Sequence, residues 1–375
     1  MTADATPPRP ADLALLPGDV EESLRASLRE LLRDRCSPDG VTAMYDGDRS
    51  LVAPLWQAVG RDLGLAGLLV AEEHGGAGAG AREAAVVLEE LGRAVAPVPF
   101  LTSAVLSSSV LAGGGDEASG LLRLLASGER TAALLVPLSA GPGWSGATVH
   151  ESAGLLTGSV RSVAGALEAD LLLVPVATGD GAALYAIDRD RAEVVAVPSL
   201  DMSRQLADVA LDRVASTVVL ADASVALERA LLLGAALLAS EQVGVARWCL
   251  EATVSYLGTR RQFGRVVGGF QALKHRLADV AVSVESASSA AGYAAATAAA
   301  GDPDAAVAAH VAQSFCAETA VHAAEECVQL HGGIGMTWEH PAHLYLKRAR
   351  ADHTALGTPA RHRARLAGLV HLPEH

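Results

Sequence analysis

The sequence predicts a mainly α-helical protein with a small β domain in its middle, and two changes of pattern support this. Leucines recur at helical spacing within residues 21–35, and residues 55–63 and 84–95 behave similarly. Between residues 130 and 222 the chain has short β-branched runs that Gly, Pro, Ser or Asp separate. From residue 223 onward the pattern is helical again, in three or four long segments. We therefore predict a helical domain at 1–129, a β domain at 130–222 and a helical bundle at 223–375.

The individual elements follow from the residues that interrupt these patterns. A glycine-rich turn at 74–80 separates two of the first helices. The predicted strands are 131–137, 169–176, 182–187 and 191–197. In the last part, GDP at 301–303 separates two helices, and GGIG at 332–335 precedes another. No internal repeat is visible.

Composition excludes several classes of function. A formal net charge of −14 argues against nucleic acid or an anionic membrane as partner, because either requires a basic surface. The four cysteines are widely spaced without a CxxC pair, which indicates buried free thiols rather than a disulfide or a metal site. We therefore expect no metal.

Hydrophobic patterning indicates a cytoplasmic protein. The longest apolar run, 230–239, is too short to span a bilayer and is typical of a buried helix segment. Residues 1–10 are polar and proline-rich, unlike a secretory leader.

Four short segments, spread along nearly the whole chain, form a pattern when they are taken together. They are GLAGLLVAEEHGG at 64–76, RRQFG at 260–264, FQALKH at 270–275 and QLHGGIGMTWEH at 329–340. Singly, each has an ordinary explanation: Arg260 as a solvated helix charge, Phe263 as core, Gly332-Gly333 as a turn. Jointly, in this order and spacing, they resemble the acyl-CoA dehydrogenase family.

The resemblance implies a fold and a cofactor. Members have an α-helical N-terminal domain, a central β-barrel and a C-terminal four-helix bundle that forms the dimer contact. Two bundle segments reach across to the ADP half of the neighbouring chain's FAD. An arginine can pair with a pyrophosphate as a fork, glutamine amides can bond ribose or phosphate, and glycines permit close backbone approach. The residues in these positions are Arg260, Gln262, Phe263, Gln271, Gln329, Gly332 and Gly333.

The same resemblance leaves the catalytic base unknown. Family members abstract the substrate's α-proton with a glutamate while the β-hydride goes to the flavin. The commonest position precedes a Gly-Thr pair, and Leu356 stands there in this chain. The alternative position, early in the first long bundle helix, corresponds to Gly234. Glu228 lies six residues before that position, and we expect Glu241 and Asp352 to lie on solvated helix faces.

The isoalloxazine half of the site also departs from the family. The loop that usually helps to hold the ring corresponds to 137–144, and a tryptophan-containing segment corresponds to 158–164, with Ser162 at the tryptophan position. We expect Trp144 to cover core rather than flavin. Asp201 and Arg204 resemble a family segment after the β domain and are predicted to form a structural ion pair.

The retained ADP half and the eroded ring half together predict a complementing subunit. The chain resembles the non-catalytic partners in the heteromeric α2β2 acyl-CoA dehydrogenases of actinobacterial steroid catabolism. The implied reaction is α,β-desaturation of an acyl-CoA, with electron-transfer flavoprotein or a similar acceptor. Two alternatives stay open: a stand-alone flavoenzyme of the same fold with a relocated base, and a non-enzymatic scaffold.

Overall fold

Helices form the first part of the chain, which a computed structural model describes for residues 13–179 and 181–372. The proline-rich segment 1–10 lies outside the described residues. The helices are α1 (Asp19–Arg35), α2 (Pro38–Ala43), α3 (Val52–Trp56), α4 (Ala81–Arg93), α5 (Ser108–Leu111) and α6 (Asp116–Ala126). The leucine repeat, the 55–63 segment and the 84–95 segment are confirmed as helical, in α1, in α3 with the π-helical turn after it, and in α4.

Two stretches of this part are π-helical, Gln57–Asp62 and Phe100–Ser107. All eight residues of the second stretch are buried. A segment that is buried all round shows no amphipathic period, so the sequence pattern gave no sign of a helix here.

The middle part consists of two four-stranded sheets. Its strands are β1 (Ala132–Leu134), β2 (Val149–Ser152), β3 (Leu155–Ala164), β4 (Leu171–Ala177), β5 (Ala182–Asp188), β6 (Glu193–Val197), β7 (Leu206–Ala215) and β8 (Thr217–Leu220). The orders are β1-β4-β5-β8 and β2-β3-β7-β6. Only the β1–β4 pair is parallel among these described strands. Apolar side chains of both sheets, such as Leu172 and Val209, share one buried cluster.

The sheets do not close into a barrel, so that part of the expectation is wrong. Among the described pairings, β6 pairs only with β7 and β8 only with β5, which leaves both sheets with open edges. The reason lies in the chain path: β8 has only four residues and the chain then enters a long helix at Ser224, so no strand remains to bridge the edges.

The last part is a bundle of three long helices. They are α7 (Ser224–Thr259), α8 (Gln271–Ala300) and α9 (Ala305–His331), with a small hairpin, β9 (Arg261–Gln262) and β10 (Arg265–Val266), between the first two. The turn at 301–303 follows the prediction, with Gly301 in the left-handed conformation at φ 61°. In place of a fourth long helix, α10 (Ala342–Asp352) and α11 (Pro359–Leu369) pack on α9.

Helix α7 is the core of the molecule. It is the one helix of the described residues with the length and apolarity of a membrane span, and 83% of its most apolar window is buried in the protein. This confirms 230–239 as a buried helix segment. Cys36, Cys249, Cys316 and Cys327 are buried and free, as predicted.

Candidate functional site

An exposed hairpin projects from the end of the bundle. Its two-residue turn, Phe263-Gly264, has φ of 52° and 74°, as a tight turn between antiparallel strands requires. The ring of Phe263 is 89% exposed and therefore is not core. The base of the hairpin is held by Arg265, whose guanidinium lies 4.6 Å from the ring centre of Phe270 and donates 2.7 Å to the Gly269 carbonyl.

Contacts between helices bring the other predicted cofactor segments to the same end. The ring of Tyr256, one turn before the hairpin, stacks on His331 with centroids 4.5 Å apart. Arg276, near the start of α8, pairs with Glu326 near the end of α9 at 2.7 Å. Gln271 and Gln329 therefore lie at one end of the bundle, beside the hairpin and the loop that follows α9.

All seven predicted cofactor residues are exposed: Arg260, Gln262, Phe263, Gln271, Gln329, Gly332 and Gly333. Gly332 has φ 65° and ψ −143°, a conformation that favours glycine. A Cβ on Gly333 would meet nothing within 4 Å, so nothing in the chain itself requires glycine there. The part of the chain that the structure describes does not enclose these seven residues, so any ligand that they bind contacts them from the outer surface of the chain.

The two positions predicted for a catalytic base lie side by side in the core. A Cβ on Gly234 would be 2.5 Å from the Leu106 side chain and 3.1 Å from the Leu356 side chain. Leu356 is 1% exposed. The space between these positions is therefore filled by aliphatic groups of the chain itself.

The loop at 137–144 packs directly on this cluster. The Leu356 N–H donates to the Leu138 carbonyl across 2.7 Å, and a Cβ on Gly141 would overlap the Leu356 carbonyl oxygen. The Leu138 N–H in turn donates to the carbonyl of Ser162, at 2.9 Å. Trp144 is partly buried against the main core, as expected.

Two family descriptions match the chain. Residues 18–129 match the N-terminal domain and residues 223–370 match the C-terminal domain of acyl-CoA dehydrogenases. Acyl-CoA dehydrogenase IpdE2 of Mycolicibacterium smegmatis is 34% identical over 352 residues, which cover 94% of this chain and 99% of that protein. The chain belongs to the acyl-CoA dehydrogenase family.

Solved structures agree with this acyl-CoA dehydrogenase fold. A single-substitution variant of the Tcur3481-Tcur3483 steroid acyl-CoA dehydrogenase is similar, with a TM-score of 0.84 and 28% identity over 94% of this chain and 98% of that one. The ChsE4-ChsE5 complex from Mycobacterium tuberculosis has a TM-score of 0.84 and 26% identity, over 96% of this chain and 100% of that one.

Acyl-CoA dehydrogenases are flavin oxidoreductases, and the donors of this chain fit only part of FAD. The exposed arginine, glutamines and glycine backbone at the bundle end suit phosphate and ribose groups. At the positions that were predicted to border the ring, the Leu356 N–H donates to the Leu138 carbonyl, so these two segments of the chain are in direct contact.

A buried ionic network, which the sequence did not reveal, joins the β domain to the bundle of this acyl-CoA dehydrogenase. Arg348 pairs with Asp201 at 2.5 Å and with Glu241 at 2.6 Å. Arg204 pairs with Glu241 at 2.6 Å and with Asp352 at 2.5 Å. Asp201 and Arg204 thus belong to one network, but they do not pair with each other as predicted. Asp201 pairs with Arg348, and Arg204 pairs with Glu241 and Asp352.

The expectation that Glu241 and Asp352 lie on solvated helix faces is wrong. Both are buried, and the Oδ2 atom of Asp352 has no hydrogen-bond partner among the described residues. Burial disfavours the charge of Glu241, but Arg204 and Arg348 outweigh it and lower its pKa. Burial of Asp352 outweighs Arg204 and raises its pKa to about 7. Glu241 is the one charge between Arg229 and Arg247, and that isolation was the available signal.

Glu228 lies elsewhere, on the exposed side of α7. Its carboxylate accepts a hydrogen bond from the Gly143 N–H at 2.5 Å. It therefore borders the loop at 137–144 without reaching the buried cluster of Leu106, Gly234 and Leu356.

Proposed function

We propose that this chain is a complementing subunit of a heteromeric, FAD-dependent acyl-CoA dehydrogenase. It offers the ADP half of a shared FAD site to a second acyl-CoA dehydrogenase chain, which supplies the ring site and the base. The whole enzyme desaturates an acyl-CoA thioester, passes electrons to electron-transfer flavoprotein or a similar acceptor, and works in the cytoplasm as an α2β2 assembly.

The base positions support this role. General-base catalysis needs a group that accepts a proton within hydrogen-bond reach of the substrate. The side chain of Leu356 accepts none, and Gly234 has no side chain to offer. Leu106 occupies the volume that a larger residue at 234 would need.

The contact between Leu356 and the loop at 137–144 also supports the proposed role. Carbon atoms in contact lie about 3.5–4.0 Å apart, so an aromatic ring between two segments holds them about 7 Å apart. The Leu356 nitrogen and the Leu138 oxygen are 2.7 Å apart. The contrast between this closed core and the seven exposed residues at the bundle end is the observation that carries the proposal.

Relatives indicate the kind of partner. Two solved relatives above 25% identity are described as pairs of proteins, Tcur3481-Tcur3483 and ChsE4-ChsE5. The first is described as a steroid enzyme, which makes a steroidal or similarly bulky acyl-CoA our proposed substrate class.

The visible spectrum of the purified chain tests the proposal. We expect no flavin absorbance when the chain is purified alone, and about one FAD per pair of chains after co-expression with its partner dehydrogenase. In that complex Arg260→Gln should weaken FAD binding about 10- to 100-fold, because hydrogen bonds between charged groups contribute about 1.5–3 kcal/mol. Arg33→Gln, at an exposed position on α1, is the matched control. Full flavin occupancy in the lone chain would contradict the proposal.

One observation favours a second candidate, the stand-alone flavoenzyme with a relocated base. Glu228 is exposed and already bonded to the loop at 137–144. That enzyme would be yellow when purified alone, would bleach with substrate, and would lose bleaching in Glu228→Gln. A cofactor-free scaffold would differ from both, since it would bind no flavin even beside its partner.

A further inference from the structure

The loop at 332–340, which follows α9 and contains the two predicted cofactor glycines, is closed at its base by two histidine rings. His331 and His340, at its two ends, have ring centroids 4.1 Å apart. A carbonyl oxygen only accepts, so Nδ1–H of His331 donates to the Cys327 carbonyl across 2.7 Å and fixes the orientation of that ring. The two ends of the loop are therefore held together.

Hydrogen bonds of Thr337 make the far side of this loop a tight turn. Its N–H and its hydroxyl both donate to the Ile334 carbonyl, across 3.0 and 2.8 Å. The same hydroxyl oxygen accepts from the Glu339 N–H across 3.3 Å. Trp338 stands between Thr337 and Glu339, so whatever holds its ring also sets the position of the turn.

A lysine holds the ring of Trp338, which is 61% exposed. Nζ of Lys347, on α10, lies 4.0 Å from the ring centroid of Trp338 and 4.0 Å from that of Tyr45. The two rings also meet edge to face, with centroids 5.5 Å apart. Tyr45 belongs to the short helical turn that follows α2, so this contact joins the loop at 332–340 to the first part of the chain.

The surroundings of Lys347 suit a contact between a cation and aromatic rings. An ammonium group only donates, so Nζ donates to Nδ1 of His343 across 3.4 Å. Burial, together with the charge of Lys347, lowers the pKa of His343 to about 4, so that imidazole is neutral at pH 7 and able to accept. Lys347 forms no salt bridge with the residues that the structure describes, so the two ring faces are its main partners.

We propose that Lys347 is a positioning residue for the shared FAD site. By holding Trp338, it keeps the loop at 332–340 in the shape in which its glycines meet the ADP half of FAD, before cofactor or partner arrives. The apparent affinity of a site falls with the fraction of molecules that have the binding shape, so a loop released from Lys347 binds more weakly. This inference rests on the proposed function of the chain.

Fluorine NMR of the chain purified alone tests this contact without any cofactor. The chain has four tryptophans, so labelling with fluorotryptophan gives four signals, and Trp338→Phe assigns one of them by removing it. Lys347→Met keeps a long side chain but removes the charge, so we expect the Trp338 signal to shift and sharpen as the ring gains freedom. Arg350→Gln removes a charge from the same helix, one that pairs with Glu325, and should leave all four signals in place. An unchanged Trp338 signal in Lys347→Met would overturn the proposal.

Titration with FAD of the flavin-free complex between this chain and its partner dehydrogenase tests the consequence. Lys347→Met and Trp338→Leu should each weaken FAD binding about tenfold, which corresponds to about 1.4 kcal/mol. The double variant should bind no more weakly than Trp338→Leu alone, because both changes break the same contact. Arg350→Gln should bind FAD like wild type.

The possible failures of this inference and of the proposed function are distinct. Additive losses in the double variant, or an unchanged FAD affinity in Lys347→Met beside a shifted Trp338 signal, would overturn the positioning role and leave the proposed function standing. A wild-type complex that binds no FAD would instead contradict the proposed function, and this inference with it.

Discussion

Asp352 is the residue of the buried network for which the structure makes the sharpest quantitative prediction. The network has three carboxylates and two guanidinium groups, so one negative charge is in excess. Arg204 donates to Oδ1 of Asp352, whereas Oδ2 has no partner among the described residues. A proton on Oδ2 removes the excess charge, and the substitution Asp352→Asn mimics that protonated form.

The sign and size of the effect follow from the pKa. Burial raises the pKa of Asp352 from its ordinary 3.8 to about 7 in the folded chain. Between these values the folded state binds the extra proton, so stability falls as pH rises through this window and the loss is complete above pH 7. At about 1.4 kcal/mol per unit, roughly three units amount to about 4 kcal/mol as an upper bound.

The assay is urea unfolding of wild type and Asp352→Asn at about pH 5, 6, 7 and 8, at constant ionic strength. We expect the stability of the variant relative to wild type to grow by about 3 kcal/mol between pH 5 and pH 8, because about two of the roughly three units of the window lie above pH 5. Histidines that titrate in this window are common to both proteins and cancel in the difference. Glu241 and Asp201 have lowered pKa values, so their contributions are lost only in stronger acid. Asp34→Asn, at an exposed position, is the control. Parallel pH profiles for wild type and Asp352→Asn would refute the reasoning.

Three further predictions concern packing and charge. Gly244→Ala should destabilise the chain by about 1–3 kcal/mol or more, because its Cβ would overlap the Glu89 backbone carbonyl where α4 meets α7. Gly258→Ala, in the same helix with open space at the Cβ, should be neutral or slightly stabilising; equal losses in the two thermal melts would contradict the close contact. Arg348→Met should cost about 3–5 kcal/mol in urea unfolding, because it strands Asp201 and Glu241 in the core; a loss below about 1 kcal/mol would show that the network relaxes. Leu356→Glu should lower the melting temperature without yielding substrate-dependent flavin bleaching, since a carboxylate there enters an aliphatic cluster; bleaching by that single variant would disprove the closed-core interpretation.

Local sequence patterns predicted several of the helices and strands. The strands at 171–177 and 182–188 were visible as apolar, β-branched runs, and α1 as a leucine repeat. Strands β3 and β7 were missed, because Gly158 and the irregular register between Val160 and Val163 interrupt their alternation. The open sheets could not be predicted, since closure depends on which edges meet rather than on any one strand.

The candidate site was also predicted only in part from the sequence. Motif spacing identified seven residues that the fold does bring to one exposed end, and their role toward FAD stays a prediction. The buried network was missed because Glu241, Arg348 and Asp201 come from three elements and meet only through tertiary packing. No local pattern distinguishes a charged residue on a solvated helix face from one that is neutralised in the core.

The hydrogen bond from the Leu356 N–H to the Leu138 carbonyl also limits how this chain could acquire an active site of its own. A glutamate gained at residue 356 by one substitution would place a charge among Leu106 and its aliphatic neighbours while the 137–144 loop stayed shut. A smaller residue at position 106, if it were substituted first, would leave a cavity without adding a catalytic group. Each single step toward an independent active site is therefore a loss in stability, and only several changes together would bring a benefit. In the proposed two-chain enzyme, this barrier would preserve the division of labour between the chains.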